Sequence, residues 1–318
     1  MTQQLPKKPR WLKKRLPTGP AYEHVKNLID KDRLHTVCQE AKCPNIWECY
    51  SQQTATFLIM GSRCTRNCRF CSVAQGPTGP PDPDEPARVA DAARQMALKY
   101  VVITSVTRDD LADGGASHFA ETIIEIRRQI PAALIEVLIP DFQGDADALQ
   151  TVLNARPDVL NHNIETVPRL YTLVRPQARY KRSLHLLERV RSFNPKIPTK
   201  SGLMLGLGET STEIRSTLND LVDVGCRMLT LGQYLQPSKA HLPVKRFVTP
   251  EEFDQWRQTA VEMGFSEVAS GPFVRSSYHA KELYQAVGPL ILKRDAAEVT
   301  LRSPRADAKR RVNLKNEV

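Results

Sequence analysis

Six of the seven cysteines of the chain stand in two triplets. Cys38, Cys43 and Cys49 read C-x4-C-x5-C, and Cys64, Cys68 and Cys71 read C-x3-C-x2-C. Thiolates are soft ligands that select zinc or iron–sulfur clusters. A structural zinc site would show paired knuckles and a fourth ligand. Cys64-Thr-Arg-Asn-Cys68-Arg-Phe-Cys71 instead crowds three cysteines into one short loop with no histidine in it. That suits three corners of a cubane and leaves one iron open for chemistry. Cys226 stands apart and reads as a buried small hydrophobe.

Something must position these loops. Thr56–Gly61 reads as a strand directly before the second triplet, whose loop spans Ser62–Ser72. Strand and helix patterns then alternate. Strands are predicted over Tyr100–Ser105, Leu134–Pro140, Asp158–Ile164, Thr199–Leu207 and Arg227–Leu235. Helices are predicted over Ala87–Lys99, Ala116–Ile130, Asp145–Ala155, Lys181–Phe193 and Ser211–Val224, with a helical segment near Pro168–Val174. Six such units imply a parallel sheet with right-handed crossovers. The fold expected is α/β, a partial (β/α)6 TIM-like barrel whose mouth is covered by extensions at both ends. A flat doubly wound sheet is the alternative. In either, chemistry belongs at the carboxyl ends of the strands, where the second triplet falls. The divisions expected are residues 1–53 with the first triplet, 54–240 as the barrel, 241–293 as a C-terminal segment with helix Pro250–Met263 and strand Ser266–Ala269, and 294–318 as a loosely ordered basic tail. Residues 21–51 show no clean period.

With 318 residues, of which 41% are hydrophobic, a large core is available. No apolar run is long enough for a membrane span or a signal-peptide core, so a cytoplasmic chain without membrane contact is expected. The net charge of +10 is concentrated at the ends: residues 1–15 carry +6 and residues 294–318 carry +3, leaving about +1 between them. This argues against nucleic-acid binding by the folded body.

The C-x3-C-x2-C loop after the first barrel strand, with Phe70 before its third cysteine, resembles the radical S-adenosylmethionine (SAM) superfamily. The resemblance implies that the open iron chelates SAM and that an electron from the cluster yields a 5′-deoxyadenosyl radical. Thr104, Asn163 and Glu165 at strand ends then become SAM contacts together with Phe70, and Arg175 a partner for the SAM carboxylate. Gln233, at the end of the sixth strand, stands at a similar place, and polar residues there also serve as caps and turns. The family's usual Gly-Gly-Glu element after the second strand is replaced by Thr104-Ser105-Val106.

The first triplet, with Arg275-Ser276-Ser277-Tyr278 near the other end, resembles the lipoyl synthases. That resemblance implies a second, auxiliary [4Fe–4S] cluster held by Cys38, Cys43, Cys49 and Ser276. It implies insertion of two sulfur atoms at carbons six and eight of an octanoyl group on a carrier lysine, with two SAM molecules consumed. It also implies partners: lipoyl domains of 2-oxoacid dehydrogenases, the glycine cleavage H protein, a reducing electron donor and an iron–sulfur cluster carrier. Catalysis would fall to Cys64, Cys68, Cys71 and Ser276. A weak oxygen corner suits a cluster that is to be dismantled, and residues 38–49 and 275–278 would have to meet over the barrel mouth. His162 and His279 are read as packing or polar-network residues. The rival readings are another sulfur-inserting radical enzyme, biotin-synthase-like, and a zinc-stabilised nucleic-acid-binding protein. Metal analysis separates the second from the first: anaerobically purified protein should be brown with about eight irons per chain. A colourless zinc protein would overturn the cluster reading.

Overall fold

The computed structural model describes residues 8–13, 19–52 and 54–285. The tail expected over 294–318 lies outside them, as does most of the basic N-terminal stretch. Residues 21–51 are more regular than their sequence suggested. They hold α1 (Pro20–Lys31), β1 (His35–Thr36), α2 (Val37–Glu40) and α3 (Ile46–Ser51). Pro20 opens α1 at its first turn, where its missing N–H costs nothing. Tyr22, Val25, Leu28 and Ile29 then form its buried stripe. Tyr22 stacks on Trp47 with ring centroids 4.4 Å apart. The two shorter helices form through tertiary contacts, among them the 2.8 Å hydrogen bond between the Thr36 and Tyr50 hydroxyls.

The barrel follows: β2 (Thr56–Ile59), β3 (Arg63–Cys64), β4 (Ala74–Gln75), α4 (Glu85–Gln95), β5 (Tyr100–Ser105), α5 (Ala116–Gln129), β6 (Leu134–Leu138), α6 (Ala146–Asn154), β7 (Val159–Asn161), α7 (Tyr171–Val174), α8 (Tyr180–Phe193), β8 (Thr199–Leu205), α9 (Ser211–Asp223), β9 (Met228–Gln233), α10 (Pro250–Met263) and β10 (Glu267–Gly271). One sheet runs β1-β2-β5-β6-β7-β8-β9-β10, with β1 antiparallel to β2 and the others parallel. The parallel strands follow chain order without reversing. A doubly wound sheet would reverse at a switch point, so the partial barrel is the observed fold. β10 adds a seventh parallel strand beyond the six of the barrel motif. β3 and β4 form a separate two-stranded ladder that clips the ends of the second cysteine loop together.

The fourth expected strand is shorter than its apolar run. Beyond Asn161 the chain still bonds β8, His162 N to Lys200 O at 3.0 Å and Glu165 N to Gly202 O at 2.9 Å. Glu165 takes a left-handed φ of 67°, which breaks the ladder.

A buried charge network ties four adjacent strands. Lys200 Nζ bonds Glu136 Oε1 at 3.0 Å, Asn161 Nδ2 donates to Glu136 Oε1 at 3.0 Å, and the Tyr100 hydroxyl donates to Glu136 Oε2 at 2.7 Å. Lys200 and Glu136 are both fully buried. Removing one ion of a buried pair strands the other. Lys200→Met should therefore lower unfolding free energy by about 3–5 kcal/mol, read as a fall in urea midpoint. Adding Glu136→Leu should recover a large part of the loss.

Candidate active site

The second triplet leaves β2 through a left-handed turn at Met60 (φ 66°) and Gly61 (φ 90°). A buried carboxylate from α4 fixes that turn. Glu85 Oε2 accepts from Met60 N at 2.7 Å and lies 2.7 Å from His118 Nε2. The loop is then clamped from within by Arg66, only 5% exposed. Its guanidinium donates to both oxygens of Asp109, at 2.6 and 2.8 Å, and to Asp141 at 2.5 Å. Burial works against the Asp141 carboxylate, but the hydrogen bond and charge of Arg66 overrule it and hold its pKa at about 2. Thr65 bonds the Thr107 carbonyl through both N and Oγ1, at 3.1 and 2.9 Å. Cys64 Sγ accepts from Arg66 N at 3.4 Å and Thr107 N at 3.3 Å. His241 Nε2 lies 2.9 Å from the Cys71 carbonyl.

The three thiols of this loop act on one another electrostatically. Burial pushes Cys71 up to about 12 and raises Cys68, which the nearby Arg175 charge partly offsets. Metal loading at these thiols must therefore release protons. Among the described residues no three His, Cys, Asp or Glu side chains converge on a single point as a mononuclear ion requires. A cubane attaches each thiolate to a different iron and asks for a wider set. Beside Cys68, Arg175 Nη1 donates to Asn163 O at 2.9 Å and to the Tyr171 hydroxyl at 3.0 Å. Its Nε and the Asn163 Oδ1 are buried without a partner. Buried polar atoms are almost always paired, so this corner fits a polar ligand such as the amino-acid end of SAM. Arg175 is thus no surface ion pair.

The other expected contacts divide. Phe70 is half-buried against the core, and the Thr104 hydroxyl donates to Leu138 O at 2.9 Å. Asn163 Nδ2 donates to Glu165 Oε1 at 3.0 Å and to Ser276 Oγ at 2.6 Å. Burial raises the Glu165 carboxyl, opposed by Arg175 and Asn163. Gln233 bonds the Leu205, Tyr234 and Arg246 carbonyls and Val248 N, a purely structural set. His162 is fully buried, its ring nitrogens 2.8 Å from Ile139 O and 2.9 Å from Ser183 Oγ; burial and the Arg175 charge lower its pKa to about 4, against the Ile139 bond. Cys226 is fully buried.

The first triplet does meet the C-terminal segment. Asn45 Nδ2 donates to Phe273 O at 2.7 Å, and the Tyr278 hydroxyl to Glu48 Oε1 at 2.7 Å. A side chain on Gly232 of β9 would collide with the Val274 carbonyl, so the glycine admits the segment over the strand end. Cys38 interacts electrostatically with both Cys43 and Cys49, and Cys43 with Arg275. Cys38 and Cys49 border a cavity of about 470 Å³, with Thr56, Tyr100 and Tyr278 on its walls.

Comparison with known proteins settles the kinship. Residues 58–221 match the radical SAM superfamily, and residues 2–43 match the N-terminal domain of lipoyl synthase of that family. Lipoyl synthase of Desulfotalea psychrophila is 60% identical over 278 residues, 87% of this chain and 93% of the relative. The chain belongs to the lipoyl synthase family. Lipoyl synthase of Nitrosococcus oceani is 56% identical over 90% of this chain and 88% of its own length. As a family member the chain uses SAM and [4Fe–4S] clusters. Among solved structures, Streptococcus suis SuiB bound to S-adenosylmethionine superposes with a TM-score of 0.55 at 10% identity, covering 71% of this chain and 54% of that one. HydG, a maturase of the [FeFe]-hydrogenase, gives 0.52 at 13% identity over 84% and 74%. At such identities these share the fold alone.

Sequence reading passed over Arg66, Asp141 and Glu85. A basic residue between two cluster cysteines was the one visible signal. Arg66→Met should strip Asp141 of its closest cation and loosen the loop. Iron should fall from about eight toward about four per chain, with the loss confined to the Cys64 site. Full iron content would show that the clamp is dispensable.

Proposed function

We propose that the chain inserts sulfur at carbons six and eight of an octanoyl group amide-linked to a lysine of a lipoyl carrier domain, with Ser276 completing the site of Cys38, Cys43 and Cys49. The C–H bonds involved are not acidic, so no side-chain base could open them. When bound, the clusters and SAM supply the electron, the carbon-centred radical and the sulfur. The protein's residues hold and separate those groups. Cys64, Cys68 and Cys71 provide three thiolates, while Asn163, Glu165 and Arg175 line the open corner beside Cys68. Arg175 brings a fixed positive charge suited to a carboxylate.

The observation that carries this reading is the junction of residues 45–48 with residues 273–278. It brings the segment that carries Ser276 against the segment that carries the triplet, which supports the serine as the missing fourth ligand. Asn163 joins the two sites, since its side-chain amide touches Ser276 while its carbonyl oxygen accepts from Arg175. A shift of Ser276 is thereby felt beside the open corner of the first site.

Substrates of this kind are the lipoyl domains of 2-oxoacid dehydrogenases and the glycine cleavage H protein. The same reading includes a reducing electron donor, a carrier that rebuilds the auxiliary cluster, and a cytoplasmic setting. No helix among the described residues is long and apolar enough to cross a membrane. The decisive assay is anaerobic turnover on an octanoyl-lysyl peptide with mass detection. Ser276→Ala should still release 5′-deoxyadenosine while lipoyl product falls at least about tenfold. Wild-type sulfur insertion in the variant would remove the serine from the site.

A further inference from the structure

The folded body carries almost no net charge, yet one outer wall of the barrel is cationic. A groove of about 530 Å³ lies between α8 and the segment after β6. Arg179, Lys181, Arg182, His185 and Arg189 line it, against Asp141 and Asp145. Its acids are already engaged. Asp141 serves Arg66 at 2.5 Å and Arg182 at 3.5 Å. Asp145 caps α6 by accepting from Asp147 N and Ala148 N. Arg189 is held by the Gly144 carbonyl at 2.6 Å. Arg179 and Lys181 are exposed and make no ion pair among the described residues.

The groove is linked to the second cysteine loop through Asp141. Asp141 joins its Arg182 to Arg66, which lies between Cys64 and Cys68. On the same side Asn67 N donates to Gln177 Oε1 at 2.8 Å, and Arg69 N to Val174 O at 2.9 Å. Asn67 and Arg69 are exposed, so the loop reaches the surface next to the groove. None of its lining residues belongs to the junction of the first triplet and the C-terminal segment.

We propose that this groove is the docking surface for an acidic one-electron carrier protein. The inference rests on reading Cys64, Cys68 and Cys71 as a redox cluster site. The step is a transfer of one electron: the carrier is oxidised by one electron, the cluster reduced by one, and no bond is made or broken. Two radical events per lipoyl group require the donor to dock twice. A donor that docks a second time while the acyl carrier remains bound needs a surface of its own. An acyl carrier must bring its lysine arm to the first triplet; an electron donor needs only proximity to the second. A cationic wall touching the second loop, away from the first, fits the donor. Such encounters are small and charge-steered.

The test uses the full chain with both clusters loaded, an acidic flavodoxin as probe, and the double variant Arg179→Glu, Lys181→Glu. Calorimetric titration with oxidised flavodoxin should show a Kd weakened at least about tenfold at low salt, with the difference closing at high salt. The rate at which reduced flavodoxin reduces the Cys64 cluster, followed by its paramagnetic signal, should fall in parallel. Turnover driven by dithionite, which needs no docking surface, and KM for an octanoylated carrier domain should be unchanged. An unchanged Kd would overturn the proposal. So would an equal loss with dithionite, or a rise in KM for the acyl carrier alone, which would assign the groove to that partner. If dithionite gives no lipoyl product even with the unsubstituted protein, the functional reading fails while the flavodoxin titration still decides the docking.

Discussion

A parallel sheet that stops short of closing leaves two edges, and edge backbone must be paired or covered. Here β1 occupies one edge and β10 the other. The chain that runs from β1 to β2 and the chain that leaves β10 meet each other: Asn45 bonds the Phe273 carbonyl and Glu48 the Tyr278 hydroxyl. The open barrel thus dictates where its two extensions go. Because the first cysteine triplet rides on one extension and Ser276 on the other, filling the gap also brings together the two segments proposed to form the second site.

The two triplets are held by different kinds of contact. The Cys64 loop is held by Arg66 between two carboxylates, by the Glu85 carboxylate on the Met60 backbone, and by backbone bonds from Thr65. These are charge-assisted, largely buried contacts, the strong kind. The first triplet rides on α2, α3 and the turn between them, and this stretch meets the C-terminal segment through Asn45 on the Phe273 carbonyl and Glu48 on the Tyr278 hydroxyl. Asn163 touches Ser276 with its side-chain amide and Arg175 with its carbonyl oxygen.

Much of this was legible in the sequence, and the parts that were not share a cause. The strand at Tyr100–Ser105 and the helix at Pro250–Met263 fall where their patterns predicted, because their apolar periods and caps are local. α1 had such a pattern too, in Tyr22, Val25, Leu28 and Ile29 behind Pro20, and the surrounding polarity obscured it. α2 and α3 are too short to show a period and depend on distant partners. The cysteines were readable because their ligand chemistry is written in their spacing. The pairing of Arg66 with Asp109 and Asp141 was not, since topology alone brings three loops together. Nor was the assignment of Gln233 to backbone carbonyls, because a glutamine at a strand end looks the same whether it binds a ligand or its own fold.

The central claim is that one site persists through turnover and the other is consumed. Single-turnover iron counting on the fully loaded protein tests it most directly, with the iron signals of the two sites followed separately. After one lipoyl group is formed, about four of about eight irons should remain, all at the Cys64 site and still responsive to SAM. Formation of the product with all the iron retained at both sites would contradict the account.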